Sequence, residues 1–199
     1  MRKQFITGAI AIAALAGLAI PASADAKNGG HVRKVRMQDR CDPASFNAAI
    51  PPAPGGPPTC ADHNGELITF DEFLAALNPV THQGSPKWNM HPDMIDLKMG
   101  DSLSVSVRGG EFHTFTEVPD FGPEGVAPGC IDFLNQALGL VGPPAADCGT
   151  ELAPQAAGGS GSAPGLPPVM VSGLTEGTHF FMCLIHPWMQ AEVTVRGND

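Results

Sequence analysis

The segment Cys183-Leu184-Ile185-His186-Pro187-Trp188-Met189 sets a thiol, an imidazole and a thioether within seven residues. Donors this close on one tight loop can aim at a common centre. Two histidines and a cysteine in a trigonal arrangement, with a weak, long axial methionine, form the donor set of mononuclear electron-transfer copper. The loop holds one imidazole, so the second comes from elsewhere. His113, which opens the apolar run His113-Thr114-Phe115, is the best-placed candidate. The expected site is therefore one copper ion held by His113, Cys183, His186 and Met189. Soft sulfur donors favour copper over magnesium or calcium, while zinc also accepts Cys and His. Met90, His91, Met94 and Met99 form a second run of soft donors, which burial in a strand explains equally well.

Cysteine arithmetic agrees with this site. Five cysteines are an odd number. With Cys183 assigned to the loop, Cys41, Cys60, Cys130 and Cys148 remain, and three pairings are open to them. Cys41–Cys60 and Cys130–Cys148 are preferred, because each closes a short loop rich in Pro and Gly. Each bridge stabilises by roughly 3 kcal/mol on a chain-entropy argument.

The donors need rigid elements to hold them. Period-two patterning starts near Trp88. Met94 to Leu97 reads as a strand. Leu103, Val105 and Val107 alternate with serines as a half-buried strand, and Phe112 to Val118 reads as another. Further strands are expected at Val169–Val171, His179–Cys183 and Ala191–Arg196. Short strands separated by turn signals indicate a β-sandwich. Residues 119–168 read as an insertion holding a short helix over Ile131–Leu138 and a flexible loop at 153–168. Residues 62–73 fail the register of a calcium loop and read as a turn at Asn64-Gly65 before a short helix. Thr69 or Asp71 would cap that helix, with Phe73, Leu74 and Leu77 facing inward.

The loop Cys183–Met189 closely resembles the C-x-x-H-P-x-M ligand loop of short-loop cupredoxins of the amicyanin type. The approach Gly177-Thr178-His179-Phe180-Phe181-Met182-Cys183 is similar to that family's penultimate strand, with His179 in place of the usual Tyr. Gly100-Asp101-Ser102-Leu103 and His113 are similar to its strand entry and its first histidine ligand. The resemblance covers about residues 88–118 and 169–197. It implies an all-β, cupredoxin-like Greek-key sandwich, reversible Cu(I)/Cu(II) cycling, and a solvent-facing edge on His186 through which electrons leave. Thr114 stands where plastocyanin-like members carry an Asn that ties the two ligand loops together.

The expected organisation is a signal peptide at 1–24 and a mobile leader at 25–40. A disulfide-closed loop with a short helix follows at 41–87, and then a cupredoxin domain at 88–199 with its insertion at 119–168. The signal reading rests on Arg2 and Lys3, an apolar run from Phe5 to Ile20, and Ala22-Ser23-Ala24. It implies a periplasmic or secreted protein with no stable membrane insertion once the signal is removed. Residues 1–24 carry two cations and no acid, so their removal moves the formal charge from −9 to −11. That charge argues against nucleic acid and suits a basic redox partner.

Residue counts exclude related sites. A binuclear copper-A centre needs two cysteines in the terminal loop, a trinuclear copper cluster needs paired H-x-H segments, and a c-type haem needs C-x-x-C-H. No nucleophile–base pair or carboxylate dyad stands out, so a non-enzymatic role is expected. Two functions fit: transfer of single electrons between redox partners, or copper binding and delivery to a copper-trafficking protein.

Overall fold

The computed structural model describes residues 30–152 and 161–198. The expected signal at 1–24 and the start of the expected leader lie outside these. Four strands form one sheet: β1 (Val32–Gln38), β2 (Asn89–His91), β4 (Ser102–Arg108) and β8 (Val169–Val171), in the order β2-β1-β4-β8. A second sheet holds β3 (Met94–Lys98), β6 (Thr116–Val118), β9 (Gly177–Met182) and β10 (Gln190–Arg196), in the order β3-β10-β9-β6. Inward residues of both sheets meet in one core. Val35, Met37, Leu103 and Val105 come from the first, and Ile95, Leu97, Val193 and Val195 from the second. The fold is an all-β sandwich, as the alternation in the sequence predicts.

The leader is a correction. Residues 32–38 are not mobile: β1 lies inside its sheet, parallel to β4 and antiparallel to β2. The described part of the expected leader carries four cations that suit a solvated arm. They are Arg33, Lys34 and Arg36, all exposed, and Arg40 at its end, which donates to the Asn64 carbonyl. Val35 and Met37 alternate with them and are fully buried. Burial of two such side chains is worth about 1.5–3 kcal/mol each, enough to seat the strand.

Residues 41–87 belong to the same core rather than to an appendage. Helix α1 (Pro43–Ala49) is capped by the Asp42 carboxylate on Ser45 N–H, and α2 (Phe70–Ala75) by a Thr69/Glu72 capping box. Phe46 of α1 and Phe73 of α2 are buried against Trp88. Phe73 thus faces inward as expected, Leu77 packs at the core margin, and Leu74 is 38 % exposed. The disulfides pair as preferred, Cys41–Cys60 and Cys130–Cys148, leaving Cys183 as the buried free thiol.

The expected strand Phe112–Val118 divides in two. His113–Thr114 (β5) pairs with Gly161–Ser162 (β7), while β6 joins the second sheet beside β9. The insertion holds α3 (Asp132–Ala137), within the expected helix, and α4 (Cys148–Glu151). Its Phe121, Ala127, Cys130, Ala145, Ala146 and Leu152 pack on Val118, Met182 and Leu184 as a small second core, while Leu134 and Leu138 of the same insertion join the main one. Of the expected flexible loop, residues 153–160 lie outside the described residues. Among the described residues, no helix is long and apolar enough to cross a membrane.

Candidate metal centre

Cys183 follows the end of β9 and Gln190 opens β10, so the loop between them caps one end of the second sheet. Two backbone hydrogen bonds close it. Cys183 N–H donates to the Met189 carbonyl at 2.9 Å, and Met189 N–H to the His186 carbonyl at 2.8 Å. This folding brings His186 back to the cysteine. His113 arrives from β5. The donor atoms of His113, Cys183 and His186 all lie within 4.8 Å of one another. Cys183 Sγ is 3.8 Å from His113 Nδ1 and 4.0 Å from His186 Nδ1. Met189 lies on the same loop and is fully buried.

Thr114 takes up the role that the resemblance assigns to Asn. Its Oγ1 accepts from Leu184 N–H at 2.8 Å, and its own N–H points at Cys183 Sγ at 3.4 Å. The strand carrying His113 and the loop carrying Cys183 are thereby tied together by one buried hydroxyl.

Behind each imidazole stands a carboxylate that sequence reasoning missed. Asp39, just past β1, is fully buried and accepts from His113 Nε2–H at 2.9 Å. Its oxygens also accept from the N–H groups of Gly110 at 2.8 Å, Glu111 at 3.2 Å and Cys41 at 3.4 Å. Gly109 makes this approach possible, since a Cβ there would sit 2.0 Å from Asp39 Oδ2. Glu111 accepts from Trp88 Nε1–H at 2.5 Å, and the same oxygen lies 3.7 Å from His186 Nε2. Both histidines therefore turn Nδ1 toward the sulfur and Nε2 toward a carboxylate. Asp39 was hidden because it sits 74 residues from His113 in sequence. The alternation of Val35 and Met37 was the signal that could have placed its strand.

The electrostatics follow this geometry. Burial works against charge on His113, yet Asp39 on one nitrogen and Cys183 on the other raise its pKa to about 10. Burial likewise opposes ionisation of Cys183, and is overcome by His113 and His186, which hold the thiol well below its ordinary range. Burial would raise Asp39 too, but the His113 hydrogen bond and charge draw it down. Glu111 goes the other way: burial raises it, against the pull of His186 and His113. The thiolate is the form that ligates metal.

One expectation is corrected. His186 is not a solvent-facing edge; it is 3 % exposed. Phe73 stands edge-on to it at 5.9 Å between ring centroids, Trp188 at 5.4 Å, and Trp88 is tilted at 6.3 Å. Trp188 in turn packs over Gly84, where a Cβ would come within 2.3 Å of its ring, and donates Nε1–H to the Ser85 carbonyl. Of these three rings Phe73 comes from 41–87, the region outside the resemblance, while Trp88 and Trp188 lie within it. The second soft-donor run does not converge: Met90 is buried in the core, while Met94 and Met99 are exposed. Two other groupings of donor atoms include Cys41 or Cys60, whose sulfurs are committed to their disulfide.

No family model matches the sequence, and no curated protein matches it. Among solved structures the chain is similar to plastocyanin from Dryopteris crassirhizoma, at 21 % identity over 61 % of this chain and 96 % of that one, with a TM-score of 0.34. It is similar to pseudoazurin from Methylobacterium extorquens AM1, at 17 % identity over 84 % and 76 %, with a TM-score of 0.32. A reduced amicyanin variant matches at 16 % identity over 52 % and 70 %, with a TM-score of 0.31. At this level of likeness the functional reading rests on the geometry of the site.

Proposed function

We propose that the protein is an exported copper protein in which His113, Cys183, His186 and Met189 hold one mononuclear copper ion and which passes single electrons between redox partners. The carrying observation is the convergence of His113 Nδ1, Cys183 Sγ and His186 Nδ1 in one buried pocket. A thiolate and two imidazoles are a copper-type donor set, and Met189 supplies a weak fourth donor from the same loop. Copper, when bound, contributes a reversible one-electron change.

The chain's own residues do the rest. Asp39 sets the tautomer of His113 by accepting a hydrogen bond from its Nε2–H, which turns Nδ1 toward Cys183. Thr114 fixes the distance between strand and loop. The aromatic wall around His186 excludes water and keeps the site rigid, which limits rearrangement between oxidation states. The acidic charge fits a basic partner outside the cytoplasm.

The test is addition of Cu(II) to the purified protein, with visible and EPR spectra. Intense blue or green colour with small hyperfine splitting, lost in Cys183→Ser, is expected. Colourless copper binding that survives Cys183→Ser overturns the assignment. A second reading, copper holding and delivery without electron traffic, is favoured by the covered His186 edge. Tight Cu(I) binding without a reversible voltammetric wave would select it.

A further inference from the structure

The two disulfide-closed segments that the resemblance leaves out meet over the proposed metal centre. On one side stand Phe46 and Phe70 of the Cys41–Cys60 region and its neighbouring helix, together with Phe73. On the other stand Ile131, Phe133 and Leu134 of the insertion that Cys130–Cys148 closes. Between them is a cleft of about 280 Å³. Its lining is apolar except for Thr59 at the edge and two groups at its inner end, Glu111 and His186. The inner pair is buried, while Ile50 and Phe133 at the mouth are 37 % and 45 % exposed.

We infer that this cleft binds a small, neutral, single-ring molecule carrying one hydroxyl group, with its ring between the phenylalanines and its hydroxyl on the Glu111 carboxyl. An apolar pocket with a few convergent polar groups is the usual architecture of a small-molecule site. The cleft is too small to admit a protein surface. The cleft surrounds its occupant with apolar side chains, which penalises an unpaired charge of either sign, and Glu111, whose Oε2 accepts from Trp88 Nε1–H, offers a polar partner at the inner end. An apolar ring with one hydrogen-bonding end matches what remains. The inference goes beyond the copper reading and does not require it.

The test uses the metal-free protein and 4-fluorophenol, followed by fluorine NMR and by the fluorescence of Trp88 and Trp188. Saturable binding in the millimolar range is expected, as suits a ligand of this size. Fluorobenzene, which lacks the hydroxyl, should bind about fivefold or more weakly, and 4-fluorobenzoate should not compete. Ile50→Trp at the mouth should weaken binding about tenfold by filling the cleft. Phe133→Ala, at an exposed position that leaves the fold intact, should weaken it about threefold. Absence of saturable binding, or binding that neither substitution weakens, overturns the site. Fluorobenzene or 4-fluorobenzoate binding as tightly as the phenol overturns the assigned ligand class. A protein that binds the phenol but gives no copper colour separates this result from failure of the metal reading.

Discussion

The carboxylate of Asp39 and the imidazole of His113 meet at 2.9 Å with both side chains fully buried. Two residues 74 positions apart thus form one unit. A buried carboxylate is tolerable only when paired and hydrogen-bonded. Here it has one imidazole and three backbone donors. Asp39→Asn keeps the shape and removes the charge. Copper affinity, measured by competition with a chelator of known affinity, should fall by about 10–100-fold. In the metal-free wild type at neutral pH, nitrogen NMR should find His113 protonated on both nitrogens, with its Nε2–H donated to Asp39. A metal-free His113 without a proton on Nε2, or unchanged affinity in a folded Asp39→Asn protein, would refute the role.

Thr114 joins the histidine strand to the cysteine loop through its hydroxyl. Thr114→Val preserves volume but strands the buried Leu184 N–H. Such an unmet donor costs about 1–3 kcal/mol. Denaturant unfolding should report a loss in that range. Thr114→Ser, which restores the acceptor, should recover most of it.

Phe73 supports both the core and the His186 ring. Phe73→Ala should destabilise by about 3–5 kcal/mol, as large aromatic truncations do. It should also open the imidazole to water. Faster solvent exchange of the His186 ring proton, read by NMR, separates that local effect from global loss.

His179 offers a pH-dependent contribution. Its Nδ1–H donates to Glu117 at 2.6 Å and its Nε2–H to the Thr175 carbonyl at 2.9 Å, so both nitrogens favour the protonated ring. Glu117, then the Thr175 carbonyl, raise its pKa above the ordinary value near 6.5. The folded state therefore holds the proton more tightly than the unfolded state. The stabilisation is fully present below about pH 6.5 and is lost as pH rises through the elevated folded value. Thermal unfolding of wild type and His179→Gln should differ most in the acidic range and converge in the alkaline range. The size should be that of a partly exposed pair, about 0.5 kcal/mol. A gap that widens with pH would contradict this.

The sandwich was legible because strand alternation is local: Leu103, Val105 and Val107 announce β4 without help from distant residues. The ligand loop was legible for the same reason, since Cys183, His186 and Met189 sit within one turn of chain. The first strand was not, because Arg33, Lys34 and Arg36 outweighed two buried neighbours when the stretch was judged by charge alone. The covered face of His186 was not legible either. Its wall is built from Phe73, Trp88 and Trp188, which lie far apart in sequence and meet only when α2 docks on the sandwich.

The amino-acid sequence by itself determined the all-β class, the disulfide preference, and which side chains have donor atoms of the right softness. These follow from composition and short-range spacing. Only the tertiary structure decided that His113 reaches Cys183, that Asp39 and Glu111 stand behind the imidazoles, and that Phe73, Trp88 and Trp188 cover His186. Those relations depend on long-range packing, in which the burial of apolar side chains carries polar groups to partners that no local pattern encodes.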